Sequence, residues 1–390
     1  MISVEEALAR VCALVAPLPV EEVPLAQAAG RVLARPVAAR LTKPPFDTSA
    51  MDGYAIAEPD ARPGATLDVI GTSRAGEGFV GALAPGQAVR IFTGAPVPQG
   101  AARVVIQEDV TRTGERITLG DRLDHGTNIL PAGADFAAGD TLSAPRRLRP
   151  ADLALAAAMN LPALPVHRRA DVAIIATGDE LVMPGEVPGP DQIVASNGFG
   201  LKAMVEAEGG IGRLLPVARD TEASLQTVFG LADGADLIVT IGGASVGDHD
   251  LVGKVAADLG MEQAFYKVAM RPGKPLMAGR MGKAAMIGLP GNPVSALVCA
   301  MLFLLPVLRV MQGLPAAPAP RLTARLACDL DANGPREHYM RARITADGIA
   351  PFDRQDSALL TILSEAHALI VRPPGDGPRR AGEPVEYLPL

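Results

Sequence analysis

Three loops rich in glycine and proline, each launched from an apolar run, lie within residues 236–295 and constrain this chain more than any other feature. In DLIVTIGGASVGDHD, residues 237–240 read as a buried strand and 242–250 as the loop that follows it. RPGKP occupies 271–275, and GLPGNPVS occupies 288–295 at the start of a long apolar helix. Glycines let backbone N–H groups approach an oxyanion closely, and a helix N-terminus adds positive potential at the same place. Arg271 and Lys274 bring mobile cations, while Asp248 and Asp250 bring oxygen ligands for a hard divalent metal. The residues alone therefore point to an anion-binding site with a metal.

Residues 171–312 alternate between strand and helix patterns. VAIIAT, LLPVA, LIVTI, FYKVA and AAMIGL read as strands, and 198–208, 222–231 and 250–259 as helices. That alternation predicts a mostly parallel sheet flanked by helices, with ligands beyond the carboxyl ends of its strands. TGDEL places Glu180 there after the first strand, and ARD places Asp220 after the second. Before this region, apolar spacing at 4–15 and, more weakly, at 24–33 predicts helix, loop, helix. LTKPPFDTSAMDGYAI then reads as a loop, in which Asp47 or Asp52 is most simply an Asx-turn residue. From 66 to 142 short apolar runs separated by Gly/Pro turns predict a small all-β domain, with Thr93 and Asp135 on its turns as local glue. Pro150 and Asp152 mark a helix start that could close the first helical region around an inserted β domain. LPAAPAP at 314–320 is a linker, and beyond it short strands predict a small β barrel or sheet. Arg336, Arg341 and Arg343 read there as a solvated strand face.

Composition limits the function classes. With 390 residues, 48% hydrophobic and 20% charged, the chain is long enough for several packed domains and too apolar for disorder. Aromatics at 3%, no Trp and a net charge of -7 argue against nucleic-acid binding. Cys12, Cys299 and Cys328 have no CxxC spacing, which suggests a reducing, cytoplasmic setting and no zinc site. The amphipathic N-terminus carries Glu5, Glu6 and Arg10, unlike a signal peptide. The apolar run 296–308 contains Pro306 and is shorter than the roughly 18 residues of a membrane span, so a buried helix and no membrane are expected.

DTSAMDGYAI, IFTGAPVPQGA, TGDEL, GGASVGDHD, RPGKP and GLPGNPVSAL, in this order, resemble the molybdopterin molybdenumtransferase (MoeA) family, which includes the E domain of gephyrin. The resemblance spans nearly the whole chain. It implies a multidomain α/β plus β fold: a helical domain split into 1–40 and 143–170, an inserted β domain at 41–142, an α/β molybdopterin-binding domain of MoaB/Mog type at 171–313, and a C-terminal β barrel at 321–390. It also implies a homodimer. The implied reaction inserts molybdenum from molybdate into adenylylated molybdopterin and releases AMP with Mg2+. Transient contact with the adenylyltransferase of the preceding step and with recipient molybdoenzymes is part of that expectation, and tungstate is a substrate the loops do not distinguish from molybdate.

By the same resemblance, Arg271, Lys274 and Ser295 match positions that hold molybdate, joined by Arg341 and Ser357, with Gly242, Gly243, Ser245 and Pro275 lining the anion. Glu180 and Asp250 match residues near the magnesium. Asp52, Thr93, Asp135 and Asp220 match further positions important for activity, and the β domain that carries Asp52, Thr93 and Asp135 faces the other subunit's site in the family's dimer. The alternatives are adenylylation of molybdopterin itself, or a non-catalytic carrier or scaffold. Arg271 stands where the family commonly has Lys, and Ala244 where it has a larger aliphatic residue.

Overall fold

A computed structural model describes residues 1–243 and 251–390; Ser245, Asp248 and Asp250 lie outside the described residues. The central sheet has six strands in the order Ile211–Leu214, Asp171–Ala176, Leu237–Ile241, Ala284–Leu289, Met277–Met281 and Met261–Tyr266. The first four are parallel and the last two join antiparallel. Leu237–Ile241 and Ala284–Leu289 are buried along their whole length, as strands covered on both faces must be.

Two expected strands shift. LLPVA contributes only Leu214, because Pro216 has no N–H to continue the ladder, and the pairing strand lies upstream at Ile211–Leu214. FYKVA gives way to Met261–Tyr266, which ends where Lys267 takes a positive φ of 70°. The flanking helices are Asn197–Ala207, Glu222–Leu231 and Leu251–Asp258.

The helix expected at 24–33 does not form. Val20–Pro24 and Val32–Leu33 are strands separated by a single tight turn at Leu25–Gln27. Pro24 and the left-handed Gly30, φ 71°, oppose a helix there, while Ala163–His167 and Arg146–Arg147 supply the ladder partners. The segments expected to make a split helical domain thus meet in a four-stranded sheet. Helix Pro150–Ala158 packs on it through Ala156, against Leu33, Leu164 and Val166. Helix Val4–Cys12, capped by the Ser3 hydroxyl, instead buries Ala7 and Val11 in the core of the central layer.

Val37–Ala38 and Thr141–Leu142 pair antiparallel where the chain leaves this sheet and returns to it. Between them lies a second six-stranded sheet: Arg103–Ile106, Gly53–Ile56, Gln87–Ile91, Thr66–Ser73, Arg116–Leu119 and Val110–Thr113. Strand alternation sends Tyr54 and Ile56 into one apolar cluster and Ala55 and Ala57 into another.

In the C-terminal sheet, Met270–Arg271 of the central region pairs in parallel with Glu337–Thr345, followed by Ala368–Arg372, Pro384–Pro389 and Leu322–Arg325. Gly348–Pro351 pairs with Glu337–Thr345, and Ala327 N–H donates to the Ile349 carbonyl at 2.9 Å, linking it towards Leu322–Arg325. The helical run Pro293–Met311 is longer than the apolar stretch suggested: 19 residues, mean hydropathy 2.3, enough by length to cross a membrane, yet 72% of its most apolar window is buried inside the protein. It is a core helix. One wide turn at Ala300–Leu304 precedes Pro306, whose missing N–H that turn accommodates.

Candidate active site

A cavity of about 900 Å3 opens beyond the carboxyl ends of the parallel strands, between the central sheet and the C-terminal region. Glu180, Asp220, Gly242, Gly243, Arg271, Lys274, Pro275, Ser295 and Ser357 all line it. Gly242 and Gly243 follow Leu237–Ile241 with φ of 90° and 65°. A Cβ on Gly243 would lie 2.1 Å from the Val252 side chain, so the turn requires glycine. Gly273 plays the same part in RPGKP: its φ is 107°, and a Cβ would meet Cys299 Sγ at 2.3 Å.

One end of the cavity is acidic. Asp220 N–H donates to Asp179 Oδ1 at 3.1 Å, and Arg219 donates to the carbonyls of Asp179 and Leu181 at 2.9 and 3.1 Å, which binds the TGDEL loop to the ARD loop. Burial, reinforced by the neighbouring Asp179 and Glu180 carboxylates, pushes the Asp220 carboxyl above its ordinary range. The opposite end is basic. Arg271, Lys274 and Arg336 reach the cavity, and Arg341 lies directly behind Asp356 and Ser357. Among the described residues these four cations have no carboxylate within ion-pair distance, whereas Arg321, Arg343, Arg372, Arg379 and Arg380 of the same region all do.

Arg341 is the extreme case. Its exposure is 0%, Nη2 donates to the Asp356 carbonyl at 3.0 Å, and Nε and Nη1 have no partner. The Gln355 side chain holds its backbone from both sides, accepting from Arg341 N–H and donating to its carbonyl, each at 2.9 Å. His338, opposite Arg271 in the strand register, is buried with Nε2 unpartnered. Burial first, then the surrounding Arg271, Arg341, Arg372 and Arg336, lowers its pKa to about 4, so it adds no charge at neutral pH.

The solvated-face reading of the three C-terminal arginines holds for Arg343, which is exposed and paired with Glu365 at 2.5 Å. It fails for Arg341, and for Arg336, which is half-buried on the cavity wall. Asn292 and Gln355 also went unread. Asn292 Nδ2 donates to Ser357 Oγ at 2.9 Å, and Val294 N–H to the Ser357 carbonyl at 3.0 Å, tying the helix start to the C-terminal region. Asn292 sits inside the PGNP motif, which was the available signal; nothing local to Gln355 announces its role.

Asp52, Thr93 and Asp135 do not reach this cavity. Thr93 N–H and Oγ1–H both donate to Asp52 Oδ1 at 2.8 Å, holding that carboxyl below its ordinary range. Asp135 pairs with Lys43 at 3.3 Å. Both lie on the inserted region.

Comparison with known proteins separates this arrangement from chance convergence. Residues 2–160 match the MoeA N-terminal region (domain I and II), 173–310 a probable molybdopterin binding domain, and 323–390 the MoeA C-terminal region (domain IV). A molybdopterin molybdenumtransferase of Nostoc sp. is 36% identical over 95% of this chain and 88% of its own length. The chain belongs to the MoeA family of molybdopterin molybdenumtransferases. Molybdopterin molybdenumtransferase 2 of Mycobacterium tuberculosis is 38% identical over 82% of each chain. Among solved structures, a molybdopterin biosynthesis MoeA protein from Pyrococcus horikoshii superposes with a TM-score of 0.87 at 27% identity over all of both chains, and a second MoeA structure from that organism with 0.83 at 30%, over 99% of this chain and 98% of that one.

Proposed function

We propose that this protein completes the molybdenum cofactor by inserting molybdenum from molybdate into adenylylated molybdopterin and releasing AMP. The observation that carries the reading is one cavity with an acidic end, at Glu180 and Asp220, facing a basic end whose cations lack carboxylate partners among the described residues. Molybdate is a dianion, and the second substrate carries a phosphoanhydride. Guanidinium and ammonium groups at Arg271, Lys274 and Arg341 offset the first charge, assisted by Ser295, Ser357 and the Gly242–Gly243 backbone. Family membership supplies the substrate class.

Mg2+ fits the acidic end. Such ions are usually held by one or two carboxylates together with substrate phosphates, and the described residues supply Glu180 without assembling a larger metal cluster. Glu180, joined by Asp250, would hold the ion. When bound it neutralises phosphate charge. The protein's own contribution is to position: Arg219 fixes the loop bearing Glu180, and Gln355 fixes Arg341.

The domain division follows the family plan, with 41–142 as the insert and 321–390 as the C-terminal unit. In a cytoplasmic homodimer the insert would present Asp52, Thr93 and Asp135 to the other subunit's cavity, which gives these distant residues a use. The test is AMP release from adenylylated molybdopterin with Mg2+, molybdate added or withheld. Molybdate-dependent release with a molybdenum-containing product supports the reading. Binding without release would replace it with a carrier, and ATP consumption with free molybdopterin would replace it with the adenylyltransferase. Asp250→Asn should lower metal-dependent release without unfolding the protein.

A further inference from the structure

We infer that Arg90 is the positioning residue of the Asp52–Thr93 pair, pinning the turn that carries the Asp52 carboxylate so that one oxygen stays bound within the insert and the other is held out for the reaction. This rests on the reading above, in which Asp52 serves the other subunit's cavity, and adds the residue that fits Asp52 for that use.

Asp52 stands immediately before strand Gly53–Ile56, in the turn that follows Thr48–Ser49. One side of the turn is tied to the loop bearing Thr93: Gly94 N–H donates to the Ser49 carbonyl at 2.8 Å, and Ser49 N–H to the Ala95 carbonyl at 3.0 Å. The tie on the other side is Arg90. Its Nη1 donates to the Gly53 carbonyl at 3.0 Å and its Nη2 to Gln107 Oε1 at 2.6 Å, while Gln107 N–H donates to the Asp52 carbonyl at 3.1 Å. The guanidinium thus holds two successive carbonyls, one directly and one through Gln107. Gly53 leaves no slack between them, since a Cβ there would lie 2.0 Å from the Val105 carbonyl oxygen.

Arg90 is itself immobilised. Its guanidinium carbon lies 5.0 Å from the centroid of the Tyr54 ring and 4.8 Å from that of Phe92, cation–π contacts that fix the planar group. Among the described residues it has no carboxylate within ion-pair distance, whereas Arg103, Arg112 and Arg116 of the same sheet all do. Arg90 instead directs its fork to neutral acceptors around one carboxylate and keeps its charge. The effect falls on Asp52. Its Oδ1 accepts both Thr93 N–H and Thr93 Oγ1–H, and its Oδ2 has no hydrogen-bond partner among the described residues. The two Thr93 bonds first, and then the charge of Arg90, keep this carboxyl ionised at neutral pH.

The test is single-turnover AMP release from adenylylated molybdopterin with Mg2+ and molybdate, on the full-length protein, with circular dichroism verifying that each variant is folded. Arg90→Met is expected to lower the rate about tenfold, within the cost of a misplaced reacting group. Arg90→Lys, which keeps the charge without the fork, should lower it about threefold. Molybdate affinity, measured by calorimetry, should change less than about twofold in both, because the loss lies in the reaction and not in binding. The deciding comparison is the double variant. In an Asp52→Asn background Arg90→Met should alter the rate less than about twofold, since a residue that acts through Asp52 then has no carboxylate left to place. An undiminished loss in that background shows a merely structural role and overturns the inference; so does a rate unchanged by either Arg90 substitution, or a loss confined to molybdate affinity. Arg90→Lys carries the same comparison if Arg90→Met does not fold. An Asp52→Asn rate equal to the wild type's overturns the inference together with the role of Asp52, and a wild type without molybdate-dependent release overturns the transferase reading and the inference with it.

Discussion

Replacing Arg341 with Met should leave the ligand-free protein as stable or make it more so, while removing much of its affinity for molybdate. Two buried nitrogens of Arg341 have no partner. An unsatisfied buried polar group costs about 1–3 kcal/mol, so relief of both is worth about 2–6 kcal/mol. Against that stands loss of the Nη2 bond to the Asp356 carbonyl, about 1.5–3 kcal/mol for a charged donor. Met fills a similar volume, so no large cavity is added, and exchange of buried charged groups for apolar ones is often neutral or stabilising. The net runs from about 1 kcal/mol against Met to about 4.5 kcal/mol in its favour. Arg341 stands directly behind the cavity wall, so its charge acts on a bound oxyanion without lining the cavity, and its loss is expected to cost about tenfold in affinity. Thermal unfolding followed by circular dichroism, alongside calorimetric titration with molybdate, measures both. A midpoint lowered by more than about 2 °C would show that the guanidinium holds the C-terminal sheet together, and the argument from unpartnered nitrogens would be wrong. Unchanged molybdate affinity would refute the second half.

Other residues give independent checks. His338, with a folded pKa of about 4 against 6.5 for the ordinary group, binds fewer protons folded than unfolded between those values; its contribution to stability is therefore lost as pH falls from about 6.5 to about 4, and His338→Asn should flatten that part of the stability profile. Asp220 works in the opposite sense: a raised carboxyl costs stability as pH rises above 3.8, so Asp220→Asn should remove that cost in neutral urea melts while lowering AMP release. Gly273→Ala places a methyl 2.3 Å from Cys299 Sγ and should displace Lys274, weakening molybdate binding; Cys299→Ala should restore part of it in the double variant, leaving the strain of φ 107° and the Met270 Cε at 3.1 Å.

The central layer was the most legible part of the sequence because period and composition agree there. LIVTI and AAMIGL are continuous apolar runs, and both are fully buried strands. The glycine-marked loops likewise disclosed the cavity wall, since positive φ at Gly242, Gly243 and Gly273 leaves little choice of residue. Local pattern misled where a distant partner decided the outcome. Residues 24–33 have weak helical spacing, yet the ladder offered by 163–167 prevails. Arg341 and Arg343 have the same local character two residues apart, but one is sealed beneath Gln355 and Asp356 and the other pairs with Glu365 in solvent. No single-sequence pattern separates them, because the difference lies in what the chain folds against.

The crossing at Val37–Ala38 and Thr141–Leu142 makes the inserted sheet a detachable module. Ala39 N–H donates to the Asp140 carbonyl at 2.8 Å, and Gly139 N–H returns to the Ala39 carbonyl at 2.9 Å, so entry and exit are in direct contact. A chain spliced between these points keeps every strand of the four-stranded sheet, helix Pro150–Ala158 that packs on it and the whole wall of the cavity, and gives up Phe136 from the apolar cluster beneath that sheet. On the proposed reading such a shortened protein should still bind molybdate, which calorimetric titration checks. What it forfeits is Asp52, Thr93 and Asp135, so on the proposed reading excision should divide capture of the ions from the later chemistry in one step.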